Sequence, residues 1–267
     1  MSNLIEYILE DNGLATLSLN REEIHNAFND ELIKDLTNKF KEMETDDAVK
    51  VVVLTGKGKS FCAGADLNWM KSMVNYSEAE NIADSQKLSD LFETINEFSK
   101  PVIGKVNGAA LGGGAGLVAV CDYVIASEGA KFGFTEVLLG LVPAVISPYV
   151  IAKIGESNAR ATFLTGERFD VTRAKELGLV HQICLDRHFH GDCDKLVERF
   201  LRAAPGAQKS AKSLVSNVLR LKNSSYQEIS KYTCETIAKR RVSAEGQEGM
   251  SALLEKRRPN WSSLKDK

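Results

Sequence analysis

Five of the eleven residues in "VNGAALGGGAG", Val106–Gly116, are glycines, and the stretch stands between an apolar run and Leu117-Val118-Ala119-Val120. Inside a regular element glycine costs roughly 0.5–1 kcal/mol relative to alanine, so such a run answers a steric demand. Two demands fit: a sharp turn, or close approach of backbone to a ligand or to another segment. A helix that opens on glycines straight after a strand exposes unpaired N–H groups at the positive end of its dipole, where an anionic or polarised oxygen can reach them. The pattern is neither the P-loop nor a G-x-G-x-x-G at a first βα turn, so it is a weak nucleotide signal. Helix–sheet close packing accounts for a lone glycine cluster equally well.

Composition narrows the classes. The chain has 267 residues, 34 Lys plus Arg against 36 Asp plus Glu, and a net charge of −2. That balance gives no support for a nucleic-acid or anionic-membrane surface. The five cysteines (Cys62, Cys121, Cys184, Cys193 and Cys234) are odd in number and contain no C-x-x-C, which argues against a disulfide framework or zinc ribbon. "MSNLIEYILED" lacks the basic and apolar regions of a secretory signal, and no apolar run approaches the roughly 18 residues of a membrane span. The expectation is a reduced, cytoplasmic protein with no membrane association.

Along the chain, Ile5, Tyr7 and Leu9 alternate with polar neighbours, Asn12-Gly13 marks a turn, and Leu14–Leu19 reads as the second strand of a hairpin. Leu32, Ile33, Leu36, Phe40 and Met43 follow helical spacing behind Asn29 as N-cap. "VKVVVLTG" suits a strand buried on both faces. Ser77-x-x-Glu80 is a capping box before a helix whose stripe is Leu88, Leu91, Phe92, Ile95 and Phe98, stopped by Pro101. "VIGKVNG" is a strand, the glycine run opens a helix towards Cys121, and "DYVIAS" is a strand again, which predicts parallel pairing through right-handed crossovers. After Phe134 strand-like runs nearly stop, apart from "GLVHQICL". Asp170 can cap "VTRAKEL", Pro205 can open a helix to about Lys222, and two further helices precede Pro259. The expected organisation is an α/β core over residues 1–200 and a helical region over 201–267 whose apolar faces, such as Leu214, Val218 and Leu221, pack on the core or on a partner subunit.

Two more stretches bear on function. "GKSFCAGADLNWM", Gly58–Met70, places a small-residue turn, Ala63-Gly64-Ala65, straight after the strand around Val51–Thr55, with Asp66 able to cap the next helix. Two parallel strands ending in such turns would bring two backbone N–H groups together at the carboxyl edge of the sheet, where open α/β sheets bind ligands. A pair of converging N–H groups stabilises the oxyanion of a thioester enolate. "AKFGFTEVLLGLVPAVISPYV" sets Glu136 among Phe132, Phe134, Val137, Leu138 and Leu139. A carboxylate in apolar surroundings has a raised pKa, useful for general acid–base work. The same spacing also describes the solvated face of an amphipathic element.

Together these stretches resemble the crotonase, or enoyl-CoA hydratase/isomerase, superfamily. The likeness runs through "LNREEIHNAF", "FCAGADLNWM", "VNGAALGGGAGL…CDYVIAS", "FGFTEVLLGLVP" and the terminal "EGMSALLEKRRPNW", in order and over nearly the whole chain. The resemblance implies an α/β spiral of ββα units followed by helices that build homotrimers or hexamers. It also implies an acyl-CoA substrate whose thioester carbonyl is held by the N–H groups of Ala65 and Gly113, with Glu136 as acid/base. Coenzyme A would be part of the substrate, and no cofactor or metal is expected. Ala63, Gly64, Asp66, Leu67, Asn68, Trp69, Met70, Gly112, Gly116, Val142 and Pro143 would contact substrate. Asn68, Trp69 and Met70 are equally suited to core and helix positions.

Many hydratases of this family carry a first glutamate in a GGG-x-E pattern; here that position is Gly116. One carboxylate fits two chemistries, hydration of a 2-enoyl thioester and Δ3-Δ2 isomerisation. "GADLNWM" and the Ala144–Pro148 sequence "AVISP" resemble the single-glutamate hydratases of 3-methylglutaconyl-CoA-type substrates in leucine or acyclic terpene breakdown. A non-catalytic or RNA-binding crotonase-fold protein is the alternative from another class, with Lys209, Lys212, Arg220 and Lys222 as its basic face. Ile24 stands where the family often has a basic residue before His25, and Lys256 or Arg257 is a candidate to approach CoA. Cys184, His188, His190 and Cys193 include zinc-type ligands, but their H-x-H-x-x-C spacing matches no structural finger.

Overall fold

A computed structural model of the chain describes residues 3–261. Strands β1 (Ile5–Leu9) and β2 (Leu14–Leu19) form the expected antiparallel hairpin, with Gly13 at φ 93 in its turn. Helix α1 (Asp30–Thr45) is capped by Asn29, whose side chain accepts from the Leu32 N–H. Then come β3 (Val51–Gly56), β4 (Ser60–Cys62), α2 (Leu67–Met73) and α3 (Glu78–Asn96), the last opened by the Ser77/Glu80 capping box. The pattern repeats as β5 (Val102–Val106), β6 (Ala109–Leu111) and α4 (Gly113–Val120), then as β7 (Tyr123–Ser127) and β8 (Lys131–Gly133).

The rest is mainly helical: α5 (Ser147–Ile154), α6 (Glu156–Thr165), β9 (Arg168–Asp170), α7 (Val171–Glu176), β10 (Gln182–Cys184) and α8 (Phe189–Leu201). Helices α9 (Pro205–Arg220), α10 (Tyr226–Val242) and α11 (Ala244–Leu254) complete it. Asp170 caps α7 through the Arg173 N–H, and Pro205 opens α9.

The strands form two sheets. One has the order β1-β2-β3-β5-β7-β10, parallel from β2 onwards; the other has the order β4-β6-β8-β9, antiparallel only at β8–β9. Each repeat therefore contributes a long strand to the first sheet and a three-residue strand to the second, the α/β spiral of ββα units. "VVVL" is buried on both faces: Val52 and Leu54 join the main core, and Val51 and Val53 pack with Leu196, Val197 and Leu201 of α8.

The second sheet corrects the expectation that the turns follow β3 and β5 directly. Strands β4 and β6 intervene, so both turns leave the second sheet. Three residues are too few to display a period of two, and each short strand lies close behind a glycine, Gly58 or Gly108. Leu214 and Val218 of α9 and Leu221 at its C-cap are half-buried, whereas Val215, Leu219, Ile237, Val242, Leu253 and Leu254 of the last three helices are exposed.

Candidate active site

β4 and β6 pair in parallel, and the segments that follow them pack tightly together. A Cβ on Gly114 would lie 2.1 Å from the Cys62 carbonyl oxygen, and one on Gly64 (φ 97) would lie 3.1 Å from that of Leu111. Glycine is required here because backbone meets backbone. Gly112, at φ 51 and ψ −122, stands at the N-cap of α4, and its N–H donates to the Gly133 carbonyl at 2.9 Å. The α4 ladder begins with Gly116 N–H donating to Gly112 at 3.1 Å, so Gly113 presents a first-turn N–H with no acceptor inside the helix.

The second candidate N–H belongs to Ala65. The Phe28 N–H donates to the Gly64 carbonyl at 2.7 Å, and the Asp66 N–H donates to the Phe28 carbonyl at 2.8 Å. A trans peptide places its N–H anti to its carbonyl, so the Ala65 N–H points away from Phe28, and Ala65 itself is an exposed residue.

Asp66 locks this turn from the other end. Its Oδ1 accepts from the Asn68 N–H at 2.8 Å, capping α2, and its Oδ2 accepts from Arg21 at 2.8 Å. Burial works to raise the Asp66 carboxyl, but the Asn68 N–H and the Arg21 guanidinium outweigh it and hold the group below its ordinary range. Its contribution to stability is therefore present at neutral pH and is lost as pH falls through the depressed value. Arg21 is the residue that sequence reasoning passed over, since nothing local connects it to a partner 45 positions away. Asp66→Asn keeps a capping side chain but strands the Arg21 charge. We expect it to cost about 3 kcal/mol in urea unfolding, read as a lower midpoint at unchanged slope.

Glu136 arrives from the third repeat. After β8 the buried Phe134 anchors the chain against Phe163, with ring centroids 5.1 Å apart, and Glu136 opens a 3-10 turn closed by Gly140 at φ 73. The carboxylate lies over Gly112: its Oε1 is 3.3 Å from where a Cβ there would sit. Oε2 is buried and has no hydrogen-bond partner among the described residues. Burial raises the Glu136 carboxyl above its ordinary 4.5, offset in part by its own backbone N–H. A thioester oxygen placed against the Gly113 and Ala65 N–H groups would meet two fixed dipoles, with a proton-hungry carboxylate beside the helix N-terminus.

One helical turn beyond Gly112, a Cβ on Gly116 would lie 2.3 Å from Ile146 Cγ2 and 3.1 Å from Phe92 Cε1. The space a side chain at Gly116 would enter is filled by an isoleucine from "AVISP". Of the other expected contacts, Leu67 and Asn68 face solvent, Trp69 is in the main core, and Met70 is half-buried. Ala63 donates its N–H to the His25 carbonyl at 3.0 Å; Val142 is exposed and Pro143 buried.

The remaining candidates are dispersed or engaged. Cys184 and Cys193 pack in the apolar cluster under α8, His190 Nδ1 lies 3.0 Å from Lys105 Nζ, and His188 meets Arg187. Lys212 is tied to Asp122 at 2.8 Å, Arg220 to Glu97 at 3.2 Å, and Arg257 to Glu248 and Glu255. Ile24 ends a short 3-10 turn before His25, whose Nδ1 lies 3.0 Å from Ser60 Oγ. Among the described residues no helix is long and apolar enough to cross a membrane.

The profile of the enoyl-CoA hydratase/isomerase family matches residues 10–264, and the chain belongs to that family of enzymes. It is 33% identical to 2,3-dehydroadipyl-CoA hydratase of Escherichia coli, covering 98% of this chain and 99% of that one. It is also 28% identical to trans-2-decenoyl-[acyl-carrier-protein] isomerase of Streptococcus mutans, over 94% and 95% of the two chains. Among solved structures, a Legionella pneumophila protein assigned to the enoyl-CoA hydratase/isomerase (crotonase) group is 43% identical, with TM-score 0.90 over 97% and 99% of the two chains. An enoyl-CoA hydratase from Shewanella pealeana is 37% identical, with TM-score 0.92 over 97% and 96%.

Proposed function

We propose that the enzyme is a hydratase of a branched 2-enoyl-CoA such as 3-methylglutaconyl-CoA, working with Glu136 as its single acid/base. The observation that carries this reading is the Glu136 carboxylate over Gly112, raised in pKa, with a buried Oε2 that has no partner among the described residues. Glu136 takes a proton from water as the water oxygen bonds to C3. The C2=C3 electron pair moves through to the thioester oxygen, which the Ala65 and Gly113 N–H groups hold. The enolate then returns its charge, C2 takes the proton from the Glu136 carboxyl, and the carboxylate is restored. Coenzyme A enters and leaves as part of the substrate, and no separate cofactor takes part.

The reading includes a homotrimer or hexamer in which the helices of residues 201–267 cover partner copies and close the site over the 1–200 core. The exposed Leu138, Leu139, Val142, Leu253 and Leu254 support it. It includes a cytoplasmic setting, supported by free thiols at Cys62, Cys121, Cys184, Cys193 and Cys234.

Isomerisation is the second reading, favoured by Ile146 occupying the space beside Gly116: a lone carboxylate can also move a proton between two carbons of one substrate. Progress curves separate the two. We expect 3-methylglutaconyl-CoA to lose its conjugated absorbance by hydration, with a straight-chain 3-enoyl-CoA a poor substrate. Conversion of the 3-enoyl thioester to its 2-enoyl isomer without uptake of water would instead establish the isomerase.

A further inference from the structure

Phe28 touches both segments that present the N–H groups, and nothing in the family-level reading of the site gives it a part. Its backbone N–H holds the Gly64 carbonyl at 2.7 Å, and that carbonyl shares a peptide plane with the Ala65 N–H. Its backbone carbonyl takes the Asp66 N–H at 2.8 Å, so Phe28 grips the peptides on both sides of Ala65. Its ring meets the other segment: Cε2 and Cδ2 lie 3.1 and 3.2 Å from where a Cβ on Gly113 would sit. The side chain is 1% exposed, and its ring stands edge-on to Phe92, with centroids 6.4 Å apart and planes at 81°.

The loop that delivers Phe28 is itself constrained. His25 and Asn26 both sit in the left-handed region, at φ 56 and 58, where non-glycine residues are uncommon. Asn26 is fully buried; its Oδ1 accepts from Arg21 N–H at 2.9 Å, and its Nδ2 donates to the carbonyls of Lys57 at 2.9 Å and Ser60 at 2.8 Å. Those bonds tie the loop to β4, the strand that ends in the Ala65 turn. Strain of this kind persists only where the surroundings over-determine the backbone.

We infer that Phe28 is a positioning residue whose ring and main chain together set the separation and angle of the Ala65 and Gly113 N–H donors. The inference rests on the oxyanion reading above. A donor displaced by about 1 Å can cost about 10²-fold in rate, so a smaller side chain at this position acts on turnover more than on substrate capture. Phe28→Leu is expected to lower kcat about tenfold or more while KM stays within about threefold, because the loss falls on the transition state.

The direct test is spectroscopic. 4-Aminocinnamoyl-CoA is an enoyl thioester whose absorption moves to longer wavelength as its carbonyl oxygen is polarised. Bound to Glu136→Gln, where turnover is blocked, it should show the red shift of a carbonyl held by two N–H groups. In Glu136→Gln/Phe28→Leu the shift should shrink at saturating ligand. A shift unchanged by Phe28→Leu, with kcat within twofold of wild type, overturns the role of Phe28 and leaves the donors standing. No shift in Glu136→Gln itself overturns the oxyanion reading, and this inference with it. Phe28→Met, which keeps the core filled with a flexible side chain, carries the same comparison if the leucine variant fails to fold.

Discussion

If Glu136 is the acid/base of a hydratase, as proposed, Glu136→Gln should abolish nearly all hydration, with turnover falling about 10²–10⁴-fold, because the amide neither accepts a proton from water nor returns one to C2. Its KM should move little. The wild-type pH profile carries the same signature. Burial lifts the Glu136 carboxyl, so activity falls on the acid side at a pH above that of an ordinary glutamate. The stability effect has the opposite sign. A carboxyl whose folded pKa exceeds its unfolded pKa binds more protons in the native state, so stability falls as pH rises through that window. Wherever it is ionised, Glu136 therefore destabilises the fold, and above the folded pKa Glu136→Gln should melt higher than wild type. The difference should close as pH falls below the folded pKa. An inactive variant that is also more stable is the expected mark of a functional carboxylate held in an apolar site.

Gly113→Pro is the second large effect. Gly113 is the first residue of α4, where proline is accommodated because its missing N–H has no helical acceptor to lose. Gly112 lies at ψ −122, outside the α region that a following proline forbids. The substitution thus deletes the N–H proposed as an oxyanion donor while leaving the helix, and kcat should fall about 10²–10³-fold. Gly113→Ala supplies the comparison, since it retains the N–H and adds only a Cβ, 3.1 Å from Phe28 Cε2. Its loss should stay under about tenfold, with the ring yielding by a few tenths of an ångström. Equal losses in the two variants would mean that crowding, not the donor, is responsible.

Much of this architecture is legible in the chain, and its gaps have physical causes. Asn12-Gly13, Asn29, Ser77 with Glu80 and Asp170 each act through bonds within a few residues, Pro205 acts through its fixed φ, and each marks an element boundary in the structure. The glycine run left a sharp turn and a close approach both open, and in the structure Gly114 meets the Cys62 carbonyl. The partner in that approach was hidden, because β4 and β6 are too short for a periodic signal. Arg21, Phe28 and Ile146 were hidden for another reason. Their roles come from contacts with Asp66, Gly113 and Gly116, which lie 45, 85 and 30 positions away in the chain and share no local pattern. Leu67 and Asn68 show the converse: they lie beside the Ala65 turn in sequence, yet α2 turns them to solvent and directs Trp69 inward. Glu136 had no geometric tie to the glycine run in the sequence; only the family resemblance joined them. In the structure the link is the β8 end, where the Gly133 carbonyl takes the Gly112 N–H three residues before the carboxylate.

The most direct measurement is the mass of the thioester formed from 3-methylglutaconyl-CoA in 18O-labelled water, with wild type and Glu136→Gln side by side. Wild type should add one labelled water and Glu136→Gln almost none over the same interval. A wild-type product of unchanged mass, or a Glu136→Gln protein that takes up label at the wild-type rate, would overturn the single-glutamate hydratase.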